Sequence, residues 1–473
     1  MSKKHNTIFG TTEKSNFILN MKMSTTYKIE KILLVISVAL IVLGGAVWLF
    51  SGQKSNYIGM GMLACGAFAT GLWYAISVWK TRTPILKNKS FFIIIGIALI
   101  TLLSTLDSWS KVQSLYGNSG RFEGIIALFS YLLLFLGATI IYEKKSISLI
   151  LDAIVIAGVA NALIALLQKI KAIPTPFKHL FSTAEENMYL PSGLVGSPIF
   201  LATLLVLINS IALFGALFDE NKKRTILYGF AVVIFVIVAP LTDSLVAFIG
   251  MPLSFIAVLI FAIFRKEKVA IIKGAVYTLM CAVSITALTL TGVVAIKDLS
   301  SAFQDGYYYL FISGPYSKTI SDGKGLYEMG FEIAKKILGD FSMDTHYWLL
   351  GTGPDCLGFP QFINEKYYDL TVLPNSLDKI YNQYLNLACS QGIFALIGYI
   401  AVIALSLKKG LSKAGTFFKE NNWHTAALTV SVIVYAVVTM FSVSTIYVAP
   451  FFWIMAGLLN ADFHDADKVE PRK

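Results

Sequence analysis

Three short stretches hold residues whose types and spacing could do chemistry. The first is Gly117-Asn-Ser-Gly-Arg-Phe-Glu-Gly124, a polar turn between two apolar runs. A guanidinium at Arg121 can grip a phosphate through two parallel N–H bonds. It can equally anchor at a membrane interface or pair with Glu123. The second is Gly351-Thr-Gly-Pro-Asp-Cys-Leu-Gly358. No βαβ unit precedes it and its glycine spacing is not that of a nucleotide fingerprint. A glycine-rich turn whose N–H groups point one way can still form an anion nest. The third runs from Asn375 to Asn386. Asn375 reads as a helix cap and Asp378 as an acidic residue at the positive end of the dipole. From there Asp378, Tyr381, Asn382, Leu385 and Asn386 share one helical face, and a polar face on a helix entering a membrane should look into a cavity.

The elements that must position these stretches are membrane spans. Of the 473 residues, 56% are hydrophobic and only 14% charged, against about 25% charged in a soluble domain. Mean hydropathy is +0.68. Apolar runs of helix-spanning length recur near 32–50, 57–79, 90–106, 123–142, 146–168, 197–217, 225–241, 244–264, 270–296, 384–407, 423–441 and 448–460. Only helices satisfy their own backbone hydrogen bonds in lipid. The expectation is an all-α polytopic integral membrane protein of about twelve transmembrane helices, with one large extracytoplasmic loop between spans nine and ten. Residues 1–31 then form a cytoplasmic tail without the apolar core of a signal peptide. Residues 32–296 hold spans one to nine, 297–383 the large loop, 384–460 spans ten to twelve, and 461–473 a second cytoplasmic tail.

The net charge of +11 excludes little by itself, but its placement argues against nucleic acid as a partner. Lys80 and Arg82, Lys144 and Lys145, Lys222-Lys-Arg224, Arg265-Lys266 and Lys408-Lys409 all fall on one side of the alternating spans. That side is cytoplasmic by the positive-inside rule. Arg121 is then the only arginine in an outward segment. Cys65, Cys281, Cys356 and Cys389 show no pairing or metal spacing, and the three within spans read as packing residues. Residues 325–338 have the period of an amphipathic helix. His179 reads as a solvated loop residue, and Asp243 as a polar residue near the membrane boundary that needs a partner or water.

Taken together, these stretches resemble the O-antigen ligase and polysaccharide polymerase superfamily of bacterial membrane proteins. Gly117–Gly124 resembles the family's early arginine–glycine outer turn. Ser197-Pro-Ile-Phe-Leu-Ala202 resembles its asparagine–proline–asparagine segment, and Leu350–Asp355 the glycine-rich turn of its large loop. Asp378-Lys-Ile-Tyr-Asn-Gln-Tyr-Leu385, followed by Gln391-Gly392, resembles the helix start that carries its histidine base. Tyr381 stands where that histidine falls, Leu245 where the family has a second arginine, and Ser197 and Ile199 where it has asparagines.

The resemblance implies an enzyme of the bacterial cytoplasmic membrane, with both termini cytoplasmic. It would move a glycan from an undecaprenyl-diphosphate-linked donor to an acceptor sugar at the outer face, with no metal or other cofactor. Arg121 would stabilise the departing diphosphate, helped by Lys111, Lys169 and the Gly351–Gly353 turn. Asp378, Tyr381 or His346 would orient or deprotonate the acceptor hydroxyl, with Asn382 beside them. The partners are the lipid-linked oligosaccharide, the glycan acceptor and membrane lipids. A non-catalytic binder or transporter of lipid-linked glycans is the alternative.

Overall fold

The computed structural model describes residues 23–51, 56–81, 89–108, 110–118, 121–141, 144–174, 191–290, 334, 338, 346–357, 379–420 and 422–461. The amphipathic stretch 325–338 (apart from residues 334 and 338), His179, Asn375 and Asp378 lie outside these residues. Every regular element among the described residues is a helix. In order, the helices are α1 (Met23–Ser51), α2 (Asn56–Thr81), α3 (Lys89–Asp107), α4 (Lys111–Tyr116), α5 (Ile125–Ala138) and α6 (Lys144–Lys169). Next come α7 (Pro198–Phe218), α8 (Lys222–Leu241), α9 (Leu245–Arg265), α10 (Lys268–Leu290) and α11 (His346–Leu350). The last four are α12 (Gln383–Gln391), α13 (Ile393–Glu420), α14 (Trp423–Val438) and α15 (Ala449–Asn460).

Among the described residues nine of these are long and apolar enough to cross a membrane: α1, α2, α3, α6, α7, α8, α9, α10 and α13. The protein is therefore a multi-pass membrane protein. Three further apolar helices, α5, α14 and α15, are shorter. Their ends are replaced by irregular backbone at residues 439–448 and 139–141, and these segments are buried apart from Met440 and Phe441. Irregular chain at membrane depth persists only when protein, not lipid, surrounds it.

The core is organised on α7, every residue of which is buried. It packs against α6, α8, α9 and α14. Ser197 opens it with Pro198 in the first turn, where a missing N–H costs nothing. The outer helices leave apolar side chains exposed, such as Ile32, Ile36 and Leu43 on α1 and Ile272, Val276 and Leu279 on α10, as lipid contact requires.

Three expectations change. Helix α1 begins at Met23, inside the stretch read as a tail. The reason is a buried stripe at helical spacing, Thr26, Glu30, Leu34 and Ser37, which packs α1 on α2 and α5. Cys65 is exposed on α2 and is not a packing residue, whereas Cys281, Cys356 and Cys389 are buried. The tenth apolar run is also not one helix. It breaks at Gly392, which takes φ +85, and a Cβ there would collide with the Leu349 carbonyl of α11. The break turns the polar segment α12 away from the membrane helix α13 and lays it against α3. There Thr101 Oγ1 donates to Gln391 Oε1 at 3.0 Å and Ser104 Oγ to the Ser390 carbonyl at 3.3 Å.

Polar residues inside the spans serve this packing. Gln168 of α6 accepts from the backbone N–H of Ser192 at 2.9 Å and of Gly193 at 2.8 Å, and Asn161 accepts from Leu194 N at 2.9 Å. Two amides thus hold the irregular segment that leads into α7.

Candidate functional site

The turn before α5, the turn after α11, the approach to α12 and the segment after α14 meet at one end of the bundle. What joins them is charge. Lys379 Nζ pairs with Glu123 Oε2, lies 3.5 Å from Asp355 Oδ1, and donates to the Ser444 carbonyl at 3.4 Å. Lys379 is 2% exposed and Glu123 5%. Such burial is tolerable only because most of the remaining lone pairs are also filled. Tyr131 Oη donates to Glu123 Oε1 at 2.8 Å and Ser444 Oγ to Oε2 at 3.1 Å. Asp355 Oδ2 accepts from Asn118 N at 2.6 Å and Glu123 N at 3.3 Å.

Burial alone would pull the Lys379 ammonium toward its neutral form. The Glu123 and Asp355 carboxylates outweigh that and the opposing charge of Arg121, so its pKa lies above the ordinary lysine value of 10.5. The ammonium therefore stays charged through the whole neutral range.

Arg121 sits beside this cluster, half-buried. Its Nη2 donates to Tyr381 Oη at 3.2 Å. Its guanidinium lies 5.6 Å from the centre of the Tyr381 ring and 5.5 Å from that of Phe200, at the start of α7. Phe122, between Arg121 and Glu123, takes φ +54 and packs edge-on to Tyr57 of α2. A bulky residue in the left-handed region stores about 1–3 kcal/mol of strain, and such strain concentrates at functional sites. The four stretches that carry the family resemblance therefore converge here, through Arg121, Phe200, Asp355 and Tyr381.

The start of α12 differs from expectation. Residues 379–382 are not helical, and the N-cap is Asn382, whose Oδ1 accepts from Tyr384 N and Leu385 N, each at 3.1 Å. Tertiary partners take the N–H groups that a longer helix would use: Ile380 N bonds Asn386 Oδ1 at 3.2 Å and Gln383 N bonds the Thr439 carbonyl at 2.8 Å. Tyr381 thus precedes the helix, and no helical face extends back through it toward Asp378.

The glycine turn also differs. Thr352 N donates to the Cys389 carbonyl at 3.0 Å and Gly353 N to Ser390 at 2.9 Å. These N–H groups cap the end of α12, so Gly351 and Gly353 do not form an anion nest. Both take positive φ, and a Cβ at either would strike α12 or Ser108. What the turn contributes to the site is Asp355.

Lys111 lies nearby on α4 but is exposed, with Nζ bonded to the Leu106 carbonyl and, at 2.9 Å, to that of Ser108. Lys169 is exposed at the C-terminal end of α6, and the cluster does not include it. His346 opens α11. Lys379, Gln383 and Ser444 were not legible as site residues. The only hint was a lysine between an acidic and an aromatic residue just before an apolar run.

Two small cavities adjoin the cluster. One, of about 20 Å³, is bordered by Glu123, Asp355, Lys379, Gln383 and Asn386. The other, of about 40 Å³, lies deeper between Tyr131, Tyr399, Tyr435, Trp453 and Ile97. Leu128, Gln383, Leu387, Gln391 and Ser444 border both. These volumes hold a few waters, so a sugar needs residues to move apart. Among the described residues no group of three or more His, Cys, Asp or Glu side chains could hold a metal ion.

No protein-family model matches the chain, and a search of curated proteins finds no match.

Proposed function

We propose that the protein transfers a glycan from a lipid-linked diphosphate donor to an acceptor sugar at the outer face of a bacterial cytoplasmic membrane. The observation that carries this reading is the contact of Arg121 with Tyr381. These residues lie 260 positions apart, and each is singled out by a different motif of one family. A guanidinium held over two aromatic faces is oriented in advance, which is what stabilising a departing diphosphate requires. In the reaction the acceptor oxygen bonds to the anomeric carbon and the carbon–oxygen bond to the diphosphate breaks. The acceptor proton passes to a base, and Asp378 and His346 are the proposed candidates. Lys379 pairs with Glu123 and lies 3.5 Å from Asp355, which offsets part of the carboxylate charge close to Arg121.

In this reading α5, α14 and α15 are also crossings, which brings the total to twelve. Both termini lie in the cytoplasm, and residues 297–383 belong with the site on the outer face.

The test is a strain lacking the gene. Surface polysaccharide should fall and its lipid-linked precursor accumulate, with both restored by the wild type and not by Arg121→Ala at equal protein level. Unchanged polysaccharide and precursor would rule the reading out.

A further inference from the structure

The opposite end of the bundle holds a carboxyl group that the charge cluster does not use. Glu30, on the buried stripe of α1, is fully buried. Both of its carboxylate oxygens are buried and, among the described residues, neither has a hydrogen-bond partner. The niche around it is built. At Gly137 near the end of α5, any side chain would clash with Glu30 Oε1 and Thr70 Cγ2, so the glycine leaves room for the carboxyl. Beyond it lies a hydroxyl pair, Ser37 Oγ and Thr70 Oγ1, 3.3 Å apart.

Among the described side chains, the titratable and charged groups on the surrounding helices make no hydrogen bond to it. On α1 these are Tyr27, Lys28 and Lys31, and on α2 Tyr57, Cys65, Tyr74 and Lys80. On α5 the only one is Tyr131, which bonds Glu123. On α6 they are Lys144, Lys145, Asp152 and Lys169, and Asp152 pairs with Arg224 at 2.9 Å. Among the described side chains none of these hydrogen-bonds Glu30. An ionised carboxylate in a membrane interior without a counter-ion is costly enough to be rare unless it has a function.

We propose that Glu30 is an intramembrane proton-binding site. The carboxyl takes up a proton to become neutral and releases it as H⁺ through the polar end of α1. There Thr26, one helical turn away, receives a hydrogen bond from Lys80 Nζ at 3.4 Å, and its carbonyl accepts from Trp73 Nε1 at 2.9 Å.

The experiment uses the full chain in lipid nanodiscs, treated with dicyclohexylcarbodiimide, an apolar reagent that adds to protonated carboxyl groups within membranes. Mass spectrometry of the wild-type protein should locate an adduct on Glu30. Its yield should fall as pH rises, by about tenfold per pH unit once the carboxyl has ionised. Gly137→Ala, which fills the niche, should reduce the labelling. Infrared difference spectra on a pH change should show a protonated-carboxyl band that Glu30→Gln removes. Absence of an adduct on Glu30 at every pH tested, or equal labelling by a water-soluble carbodiimide, would overturn the proposal, and neither result depends on a variant folding.

Discussion

Lys379 and Glu123 form a buried ion pair between segments 256 residues apart, and through it the loop before α5 is fastened to the start of α12. Asp355 and Ser444 complete the knot from two other segments. The polar end of this membrane protein is thus held by charges that water does not reach.

Removing the cation should therefore be worse than removing the pair. Lys379→Met strands two carboxylates and should destabilise the protein by about 3–5 kcal/mol. Adding Glu123→Gln should recover part of that loss. Because the carboxylates hold the ammonium's pKa above 10.5, the contribution of its charge is complete through the neutral range and is lost only as pH rises past that value. Thermal unfolding in detergent between pH 6 and pH 9 should show no step that Lys379→Met abolishes.

At Arg121 the geometry of the donor matters as much as its charge. Arg121→Lys should impair glycan transfer nearly as much as Arg121→Ala, by about 100-fold or more. Tyr381→Phe keeps the ring under the guanidinium and loses only the 3.2 Å hydrogen bond, so it should cost far less. Precursor turnover in membranes with matched protein levels distinguishes these outcomes, and an Arg121→Lys variant of full activity would refute the bidentate role.

Gly392→Ala should be among the most disruptive single-methyl changes in the chain. The residue sits at φ +85 and ψ +173, a region essentially restricted to glycine, and its new Cβ would overlap the Leu349 carbonyl. The expected result is loss of the α11–α12 contact, read as a lowered unfolding temperature and new protease cleavage near residue 350.

Cys356 should resist thiol reagents. Burial pushes its thiol up to about 12, so almost no thiolate is present at pH 8. Iodoacetamide should label it only after unfolding, and rapid labelling of the folded protein would contradict the packed turn.

Sidedness has its own test. An introduced cysteine at Lys324 should react with an impermeant maleimide from outside the cell, and one at Lys223 should not. The reverse pattern would move the whole site to the cytoplasmic face.

The sequence by itself determined that this is a helical membrane protein. Uninterrupted apolar runs leave no other way to satisfy the backbone in lipid. It also marked Arg121, Tyr381 and the glycine turn as places to look, because cations, phenols and positive-φ glycines are local properties. The tertiary structure decided what those residues meet. That Lys379 answers Glu123 depends on segments 256 residues apart, and nothing in the local pattern encodes it. That the Gly351–Gly353 turn caps α12 and does not cradle an anion depends on where α12 ends, which Gly392 fixes through contact with α11. Glu30 looked like part of a charged tail until the helix began at Met23 and α5 presented a glycine to it. Burial of a polar group is a property of its neighbours, and only the folded chain supplies them.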